Sequence, residues 1–471
     1  MENKDKTYLP QIFKDLKEDE LKDVIEKAKD WALMHGACMR SRTNFSKDSL
    51  QFAPFILTPS PFPRREFTKA VEIQVILNEL MHKVAHNSDF LRSSLKATIQ
   101  VDEFTANLFK IYETIQQEGV AQRVSLGLLR SDYMIHRNAA NVVKQVELNT
   151  IASSFGAISH HVSLLYRYVL QELGHADKLK NLPENTALQG LCDGMIQAWK
   201  LYNNPQAVVL FVVENVSYNI CDQRFHEFEI RKMNPQVRVM RRTLTEIQEQ
   251  GHLGANKELV IAGQTVAVVY FRAGYEPLQY PTQTEWDARL LVERSSAIKC
   301  PSIHYHLAGT KKVQQALARP GALELFLSEP RKIEAVKEIF TGLYSLDFDE
   351  YGDLAVQMAL DNPERYVLKP QREGGGNNVY GADIRDAMMK MKDSKERTAW
   401  ILMERINPPL TMGYMIRPGG PAAPEKSELV DQKTIQVNKQ VGHMLRTKTS
   451  TANEGGVAAG LGALDSPYLI D

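Results

Sequence analysis

A short apolar strand runs into a lysine and three consecutive glycines, which narrows the choice of fold more than any other segment of this 471-residue chain. The segment is Tyr366-Val-Leu-Lys-Pro-Gln-Arg-Glu-Gly-Gly-Gly-Asn-Asn-Val-Tyr380. Glycines let backbone N–H groups approach an anion because no Cβ is in the way, so the turn can hold a phosphate. Lys369 and Arg372 add positive charge, and Glu373 offers a carboxylate to a cation on the same phosphates. A flexible glycine hairpin is the alternative, and the surrounding charges favour the phosphate site.

A second segment, Val143-Lys-Gln-Val-Glu-Leu-Asn-Thr150, is typical of a strand with one polar face. Strand alternation predicts that Gln145, Glu147 and Asn149 share that face. A carboxylate and an amide two residues apart offer hard oxygen ligands, which suit Mg²⁺. For this pattern alone, a solvated strand face is the commoner explanation.

Three weaker segments gain meaning only in combination. Leu129-Arg-Ser-Asp-Tyr133 places charges in a strand, with a salt-bridged turn as the alternative. Tyr270-Phe-Arg-Ala-Gly-Tyr275 follows a strand of an α/β region, where open sheets bind ligands, although an exposed turn explains it equally well. Near the C-terminus, His443-Met-Leu-Arg-Thr-Lys448 precedes the glycine- and alanine-rich stretch Asn453–Gly460, which predicts a lid over a ligand.

Composition excludes several classes of protein. The chain has 57 Lys plus Arg against 57 Asp plus Glu, a balance that argues against a nucleic-acid coat but permits a local basic patch. The longest apolar run, Ala207–Val213, is too short to span a membrane, and the N-terminal residues show no secretory signal. The four cysteines form no CxxC pair, so reduced thiols in the cytoplasm are expected. No metalloprotease, nucleophile-elbow or cysteine-nucleophile motif is present, which favours ATP-dependent ligation over hydrolysis.

Hydrophobic periodicity predicts helices over Phe13–Ala37 and Thr68–Glu118, the latter broken near Asn87. Strands are predicted at Arg123–Leu129 and Asn141–Leu148. The middle third alternates strands with helices, which indicates a small α/β unit with a partly parallel sheet. The elements predicted there are strands at Ala207–Val213, Val237–Met240, Leu259–Ile261 and Thr265–Tyr270, and helices at Asp222–Lys232 and Leu244–Gln250. The residues Ala262-Gly263-Gln264 predict a tight hairpin turn between the last two strands.

Together these segments resemble the eukaryotic glutathione synthetases over nearly the whole chain. Further stretches that carry the resemblance are Phe52-Ala-Pro-Phe, Leu307-Ala-Gly-Thr-Lys-Lys-Val-Gln-Gln and Gly455-Gly-Val-Ala-Ala-Gly. The resemblance implies a mixed α/β protein with an ATP-grasp fold, in which two lobes sandwich ATP. It also implies an ATP-grasp body of residues 1–205 and 306–471, with a lid at about 341–408 and a C-terminal loop at 453–462. Residues 206–305 would form an inserted α/β substrate-binding domain.

The activity that the resemblance implies is a ligation. The family joins γ-glutamylcysteine to glycine with ATP and Mg²⁺, through an acyl phosphate, and releases glutathione, ADP and phosphate. It acts in the cytoplasm as a homodimer, without nucleic acid or membrane.

Site roles also follow from the resemblance, motif by motif. Catalytic roles are implied for Arg130, Lys311 and Lys369, and metal binding for Glu147, Asn149 and Glu373. ATP contacts are implied for Lys311, Lys369, Glu373, Gly374, Gly375, Asn378, Tyr380, Met403, Glu404, Ile406, Glu428, Lys448 and Glu454. Substrate contacts are implied for Arg130, Ala152, Ser153, Ser154, Ser217, Tyr218, Asn219, Gln223, Arg272, Tyr275, Arg446, Val457 and Ala458.

Three departures from the family pattern stand out. Ala152 replaces a common serine and Ala273 replaces an aspartate, both at positions where backbone contacts would survive. After Ser427-Glu-Leu429 a glycine- and aromatic-rich strand is missing, and Val430-Asp-Gln-Lys-Thr434 follows at once. Either the neighbouring segment rebuilds that strand or the chain is a catalytically impaired homologue. A related ligase that uses another small amino acid, such as β-alanine or serine, is a further alternative.

Overall fold

The computed structural model describes residues 8–137, 141–373, 376–436, 441–453, 457 and 462–471. Within these residues no helix is both long and apolar enough to cross a membrane. The α-helices in chain order are α1 (Glu18–Met34), α2 (Arg64–Ala85), α3 (Ser88–Leu95), α4 (Glu103–Glu118), α5 (Gly156–Glu172), α6 (Ala187–Tyr202), α7 (Ile220–Met233), α8 (Leu244–Gln250), α9 (Gln283–Arg294), α10 (Ile303–Ala308), α11 (Lys311–Leu317), α12 (Pro330–Ile339), α13 (Glu350–Asp361) and α14 (Asp383–Met391).

The β-strands form three larger sheets and two small pairs. In chain order they are β1 (Cys38–Met39), β2 (Gln51–Phe52), β3 (Phe55–Ile56), β4 (Ser60–Pro63), β5 (Arg130–His136), β6 (Val142–Asn149), β7 (Val208–Val212), β8 (Val239–Arg242), β9 (Gly251–Leu253), β10 (Leu259–Ile261), β11 (Gln264–Phe271), β12 (Ile298–Cys300), β13 (Leu343–Ser345), β14 (Tyr366–Pro370), β15 (Val379–Tyr380), β16 (Trp400–Glu404), β17 (Thr411–Gly413), β18 (Met415–Ile416), β19 (Ser427–Gln436), β20 (Gly442–Thr449), β21 (Gly462–Asp465) and β22 (Pro467–Ile470).

The largest sheet has eight strands in the order β18-β3-β21-β20-β19-β5-β6, with β17 also paired to β19. Strand β19 lies between β5 and β20, antiparallel to both. Leu429, the third residue of this strand, is fully buried and packs with Ile56 and Ala463. The residues directly after Glu428 therefore continue a ten-residue strand that begins at Ser427. Nothing in the sheet supports the alternative that the chain is impaired by a missing strand.

The second sheet has six strands between residues 208 and 300, in the order β8-β7-β11-β10-β9 with β12 beside β11. Strands β7, β8, β11 and β12 are parallel, which confirms the predicted partly parallel sheet. The predicted hairpin is also confirmed, because Ile261 pairs with Gln264 across Ala262 and Gly263. Both turn residues have positive φ, 48° and 75°, as a two-residue hairpin turn demands.

The third sheet is four antiparallel strands in the order β13-β16-β14-β15. Helices α13 and α14 pack beside it around a small apolar core that includes Leu346, Leu368 and Met388. Lys369 lies near the end of β14 and is buried. This sheet places Lys369 at one side of the cleft described below.

Several predicted boundaries were wrong. Helix α1 begins at Glu18 and not at Phe13, because three acidic residues at its start are favoured by the helix dipole. The apolar segment Arg123–Leu129 is not a strand. Its buried residue Leu128 packs against α6 in the core, and the amide of Leu126 donates to Lys299. The apolar pattern there reflects burial without sheet pairing.

Candidate active site

An open cleft lies where the eight-stranded and four-stranded sheets face each other. Strands β5, β6 and β20 supply one wall, and β14, β15 and β16 supply another. The start of α11 closes the inner end with Lys311. Residues far apart in sequence thus meet in one place.

The centre of the cleft pairs two lysines with two carboxylates. Nζ of Lys311 lies 2.7 Å from Oε1 of Glu373 and 3.2 Å from Oε2 of Glu147. Nζ of Lys369 lies 4.0 Å from the same oxygen of Glu147 and donates to the carbonyl of Val146 at 3.1 Å. Both lysines are more than nine-tenths buried, so these contacts replace much of the hydration they lose.

The pKa values in this cluster move in different directions. Burial would raise the pKa of Glu147, but the charges of Lys311, Lys369 and Arg130 outweigh it and hold that pKa well below its usual range. Burial raises the pKa of Glu373, and the nearby Glu147 carboxylate adds to the rise. Burial lowers the pKa of Lys369, whereas Lys311 keeps a raised pKa because both carboxylates contact it. The charged forms of Glu147 and Lys311 are therefore favoured, whereas burial favours the neutral forms of Glu373 and Lys369.

The face of β6 that reaches the cleft is changed by a β-bulge. Asp132 pairs with Glu147 and Tyr133 pairs with Gln145, so Val146 is the extra residue. The prediction that Gln145, Glu147 and Asn149 share one face was wrong for Gln145. Glu147 and Asn149 line the cleft, whereas Gln145 does not.

Asn149 links this cluster to Arg130. Its amide is satisfied when the nitrogen donates to Oε2 of Glu373 at 3.1 Å and the oxygen accepts from Nη2 of Arg130 at 3.2 Å. Arg130 also contacts Asp132, with Nε at 3.0 Å from Oδ1 and Nη2 at 3.2 Å from Oδ2. Nη2 of Arg446 lies 2.9 Å from the same Oδ2. Two guanidinium groups therefore line the cleft beside the lysine–carboxylate cluster.

The loop after β6 is held from below. The carbonyl of Ser153 accepts from Nη1 of Arg272 at 2.8 Å and from the hydroxyl of Tyr270 at 3.0 Å. Two residues of this loop, Ala152 and Phe155, have positive φ values of 50° and 68°. Non-glycine residues adopt such values only when the surroundings enforce them. Asp222 supplies part of that support, since its carboxylate accepts from the amides of Phe155 and Ala157.

A mostly apolar region occupies the side of the cleft formed by β14 and β16. Val367, Met403 and Ile406 are each at least nine-tenths buried and line it. The segment that leaves β16 is tied to β5, because the amide of Arg137 donates to the carbonyl of Asn407 at 2.6 Å. Such a flat apolar slot beside buried lysines suits the base of a nucleotide whose phosphates reach the lysines.

Arg372 has a different partner from the one expected. Its Nη1 lies 2.6 Å from Oδ2 of Asp102, which also caps α4 by accepting from the amide of Thr105. Arg372 still lines the cleft, but its guanidinium also connects the chain after β14 to the start of helix α4. Sequence alone could not reveal this pair, whose members are 270 residues apart.

Comparison with known families decides to which family this chain belongs. A family model described as "Eukaryotic glutathione synthase, ATP binding domain" matches residues 18–469. The chain belongs to this family. It is accordingly an ATP-dependent ligase of glutathione synthesis, and its mixed α/β architecture is the ATP-grasp fold.

Individual relatives agree with that membership. The glutathione synthetase of Homo sapiens is 44% identical over 464 residues, 96% of this chain and 97% of that protein. The enzyme of Xenopus laevis is 43% identical, and the chloroplastic enzyme of Solanum lycopersicum is 42% identical over 89% of this chain and 78% of its own. A solved glutathione synthetase-like effector from Globodera pallida shares the fold, with a TM-score of 0.76 and 24% identity over 97% of this chain and 98% of its own.

Most residues expected from the glutathione synthetase pattern line the cleft. They are Arg130, Glu147, Asn149, Ala152, Ser154, Arg272, Tyr275, Lys311, Lys369, Glu373, Asn378, Tyr380, Met403, Glu404, Ile406, Arg446, Lys448 and Val457. Gly374, Gly375, Glu454 and Ala458 lie outside the described residues, as does most of the 453–462 loop.

Other expected residues do not reach the cleft wall. Ser153 lies beneath it, with its hydroxyl donating to the carbonyl of Leu128. Glu428 accepts from Ser450 and from the hydroxyl of Tyr8. The remaining four, in and after the loop that follows β7, are Ser217, Tyr218, Asn219 and Gln223.

Sequence reasoning also missed residues that do line the cleft. Among them are the apolar Val367 and Met134, and the segment Arg405–Pro408 that leaves β16. Strand alternation could have indicated Val367, which is two residues before Lys369. No local pattern marks residues 405–408, because their position depends on pairing with the end of β5.

Proposed function

We propose that the cleft joins γ-glutamylcysteine to glycine, with ATP as the source of energy and an acyl phosphate as the intermediate. The observation that carries this proposal is the junction of Lys311 with both Glu147 and Glu373 beside Arg130. Phosphoryl transfer asks a protein mainly for positioning and neutralised charge, and this cluster offers both.

The proposed reaction has two steps. An oxygen of the cysteinyl carboxylate attacks the γ-phosphorus of ATP, the bond to the bridging oxygen of ADP breaks, and an acyl phosphate forms. The amine of glycine then attacks the acyl carbon, and phosphate leaves from the tetrahedral intermediate as the amine loses its proton. Lys311 and Lys369 neutralise phosphate charge, and Arg130 stabilises negative charge on the reacting carboxylate. Once the lid closes over the cleft, water is excluded from the acyl phosphate.

The donor set fits Mg²⁺. Glu147 and Glu373 contribute carboxylates that contact one ammonium group, and the amide nitrogen of Asn149 lies 3.1 Å from Glu373. Rotation of that amide would turn its oxygen toward the two carboxylates and offer it to a metal. Oxygen ligands from carboxylates and an amide are those that Mg²⁺ takes in sites shared with phosphates. The described residues contain no cluster of three or more His, Cys, Asp or Glu, so the amide completes the set. When bound, Mg²⁺ would neutralise charge on the phosphates of ATP.

We assign the remaining roles by position in the cleft. ATP contacts are assigned to Asn378, Tyr380, Met403, Glu404, Ile406 and Lys448. The family pattern adds ATP contacts at Glu428, Gly374, Gly375 and Glu454. Arg272, Tyr275, Arg446, Val457 and the loop 152–154 serve the peptide, with Ser217, Tyr218, Asn219, Gln223 and Ala458 retained likewise. The body of the ATP-grasp fold consists of residues 1–205 and 306–471. Within it, residues 341–408 act as the lid and residues 453–462 as a closing loop. Residues 206–305 act as the inserted substrate domain.

Incubation with ATP, Mg²⁺, γ-glutamylcysteine and single amino acids tests the activity, with ADP and the tripeptide as readouts. Glutathione should form with glycine, and ADP should rise in equal amount. Folded protein that produces no ADP above background contradicts the proposal. Product with β-alanine or serine in preference to glycine would instead identify the related ligase.

The metal assignment has its own test. Glu373→Gln should raise the Mg²⁺ concentration needed for half-maximal activity by at least tenfold, because the amide lacks the carboxylate's charge. Glu364→Gln is the matched control, since the carboxylate of Glu364 is exposed and Glu364 does not line the cleft. An unchanged Mg²⁺ dependence in Glu373→Gln would remove Glu373 from the metal site.

The family resemblance further supports a cytoplasmic homodimer. Light scattering on purified protein should give a mass near twice the 53.3 kDa of one chain. Because the tomato relative is named chloroplastic, the compartment needs a direct test, by microscopy of the fluorescently tagged chain in its own cells.

A further inference from the structure

One buried carboxylate joins the two arginines that line the cleft. Arg130 and Asp132 lie two residues apart on β5, so their side chains share one face of the sheet. Arg446 comes from β20, on the other side of β19, and reaches the same carboxylate. Asp132 is fully buried, whereas each arginine side chain keeps 13% of its surface exposed. Asp132 therefore lies behind the arginines, which are the groups that a substrate meets.

Only some of the N–H groups of each guanidinium donate to the protein groups around them. Arg130 turns Nε and Nη2 toward Asp132, with Nη2 also meeting the Asn149 amide, which leaves the two N–H donors of Nη1 for a ligand. Arg446 donates to Asp132 through Nη2 alone. Nε of Arg446 is buried and, within the described part of the chain, donates to no acceptor. A buried N–H of this kind is costly unless a ligand supplies the acceptor.

Charge explains why Asp132 is needed. Nη2 of Arg130 and Nη2 of Arg446 contact the same oxygen of Asp132, so two positive groups lie close together away from bulk water. Like charges at such range repel strongly where the effective dielectric constant is low. With Asp132 between them the three side chains carry a net charge of one, and the planar groups are fixed in direction as well as in place.

We propose that Asp132 is a positioning residue for the peptide substrate, and that it aims the free donors of Arg130 and Arg446 at the carboxylates of γ-glutamylcysteine. This inference rests on the proposed function and adds the residue that organises its anion-binding wall. Two guanidinium groups held by one carboxylate suit a ligand with two carboxylates, and γ-glutamylcysteine has that chemistry. ATP has its own cations in Lys311 and Lys369.

Kinetics of Asp132→Asn test the proposal. The amide keeps the size of the side chain but removes the charge, so KM for γ-glutamylcysteine should rise about tenfold or more, the scale of a lost charge-assisted hydrogen bond. KM for ATP should stay within about twofold, because ATP uses other contacts. The same change should weaken the rise in Tm that γ-glutamylcysteine alone gives the resting enzyme.

Asp465→Asn is the matched control. Asp465 is also a buried carboxylate of the eight-stranded sheet, but it accepts from Ser60 and Thr447 and, among the residues that the structure describes, contacts no guanidinium. A purely structural role for Asp132 predicts that Asp132→Asn lowers Tm and that both variants leave KM for γ-glutamylcysteine unchanged. That result would overturn the inference.

A second variant covers the case in which Asp132→Asn does not fold. Arg446→Lys keeps Asp132 and a positive charge, but a single ammonium lacks the planar fork that contacts Asp132 and a ligand together. It should raise KM for γ-glutamylcysteine without a matching change for ATP. Unchanged KM values in this variant would also overturn the inference.

The two proposals fail in different ways. If the wild-type enzyme makes no glutathione, the proposed function itself is wrong. If the wild type is active and Asp132→Asn and Arg446→Lys both bind γ-glutamylcysteine normally, only the role of Asp132 is wrong. A double variant refines the result, because Asp132→Asn should raise KM less in an Arg446→Met background if the two residues act together.

Discussion

Nζ of Lys311 lies 2.7 Å from Oε1 of Glu373, although 62 residues separate the two in the chain. Lys311 begins helix α11, whereas Glu373 follows strand β14 in the segment with the glycines. A buried glutamine reinforces the junction, since Oε1 of Gln371 accepts from the amide of Lys312 at 3.0 Å. The contact connects the start of helix α11 to the segment after β14, at the point where we place the phosphates of ATP.

Replacement of Lys311 by methionine should lower kcat by at least ~10²-fold, the scale of losing one electrostatic contact to the transition state. The variant leaves the carboxylates of Glu147 and Glu373 without their shared ammonium group. Lys312→Met is the matched control, because that neighbouring lysine is equally buried but pairs with Asp347 and Ser345. Steady-state kinetics should show the loss in kcat for Lys311→Met alone. Equal losses in the two variants would point to general damage.

Arg130→Ala should cost on the order of 10²–10³ in kcat, as does removal of a donor that stabilises developing negative charge. Asn149 links the guanidinium of Arg130 to the lysine–carboxylate cluster. Single-turnover measurements of ADP formation separate this chemical effect from product release. By the same scale, a loss under about threefold would remove Arg130 from the mechanism.

Asp465 should make stability depend on pH. Burial raises its pKa to about 7, against about 3.9 for an aspartate in an unfolded chain. The folded protein therefore holds a proton that unfolding releases, so this contribution to stability is complete below about pH 4 and is lost as pH rises toward 7. Asp465→Asn removes this dependence. Relative to wild type, the variant should gain about 3 kcal/mol of stability between pH 5 and pH 8.

Thermal unfolding at the two pH values measures that difference. Asp347→Asn provides the contrast, because Lys312 outweighs burial and lowers the pKa of Asp347. Both its folded and unfolded pKa values then lie below pH 5, so its Tm difference from wild type should not change from pH 5 to pH 8. A pH-independent difference for Asp465→Asn would mean that Asp465 is ionised throughout.

Leu429→Ala should destabilise the protein by about 2–5 kcal/mol, the usual cost of a buried leucine cavity. Leu429 is fully buried at the start of β19, against Ile56. Met412→Ala on the paired strand β17 is the control, since Met412 is 40% exposed and should change stability little. Denaturant unfolding compares the two variants. Similar unfolding midpoints for both variants would show that Leu429 contributes no more to stability than Met412.

Local pattern was sufficient for elements whose burial follows a simple period. The apolar face of α1, with Val24 and Ala28, was predicted from helical spacing and is buried. The hairpin at Ala262-Gly263 was predicted from its turn residues. Where an apolar segment is buried without sheet pairing, as at Arg123–Leu129, the same reasoning predicted a strand that does not form. Period alone cannot separate burial from pairing.

The sequence by itself determined the chemistry: a strand that ends in Lys369 before three glycines, a carboxylate at Glu147 two residues from Asn149, and the family that these motifs identify. Only the tertiary structure decided which of those groups meet. Sheet order brings Arg446 across β19 to Asp132, and a bulge at Val146 turns Gln145 away from Glu147. Arg372 pairs with Asp102, which a motif read along the chain does not indicate. Such contacts depend on strand register and packing between distant segments, and both are settled only when the whole sheet assembles.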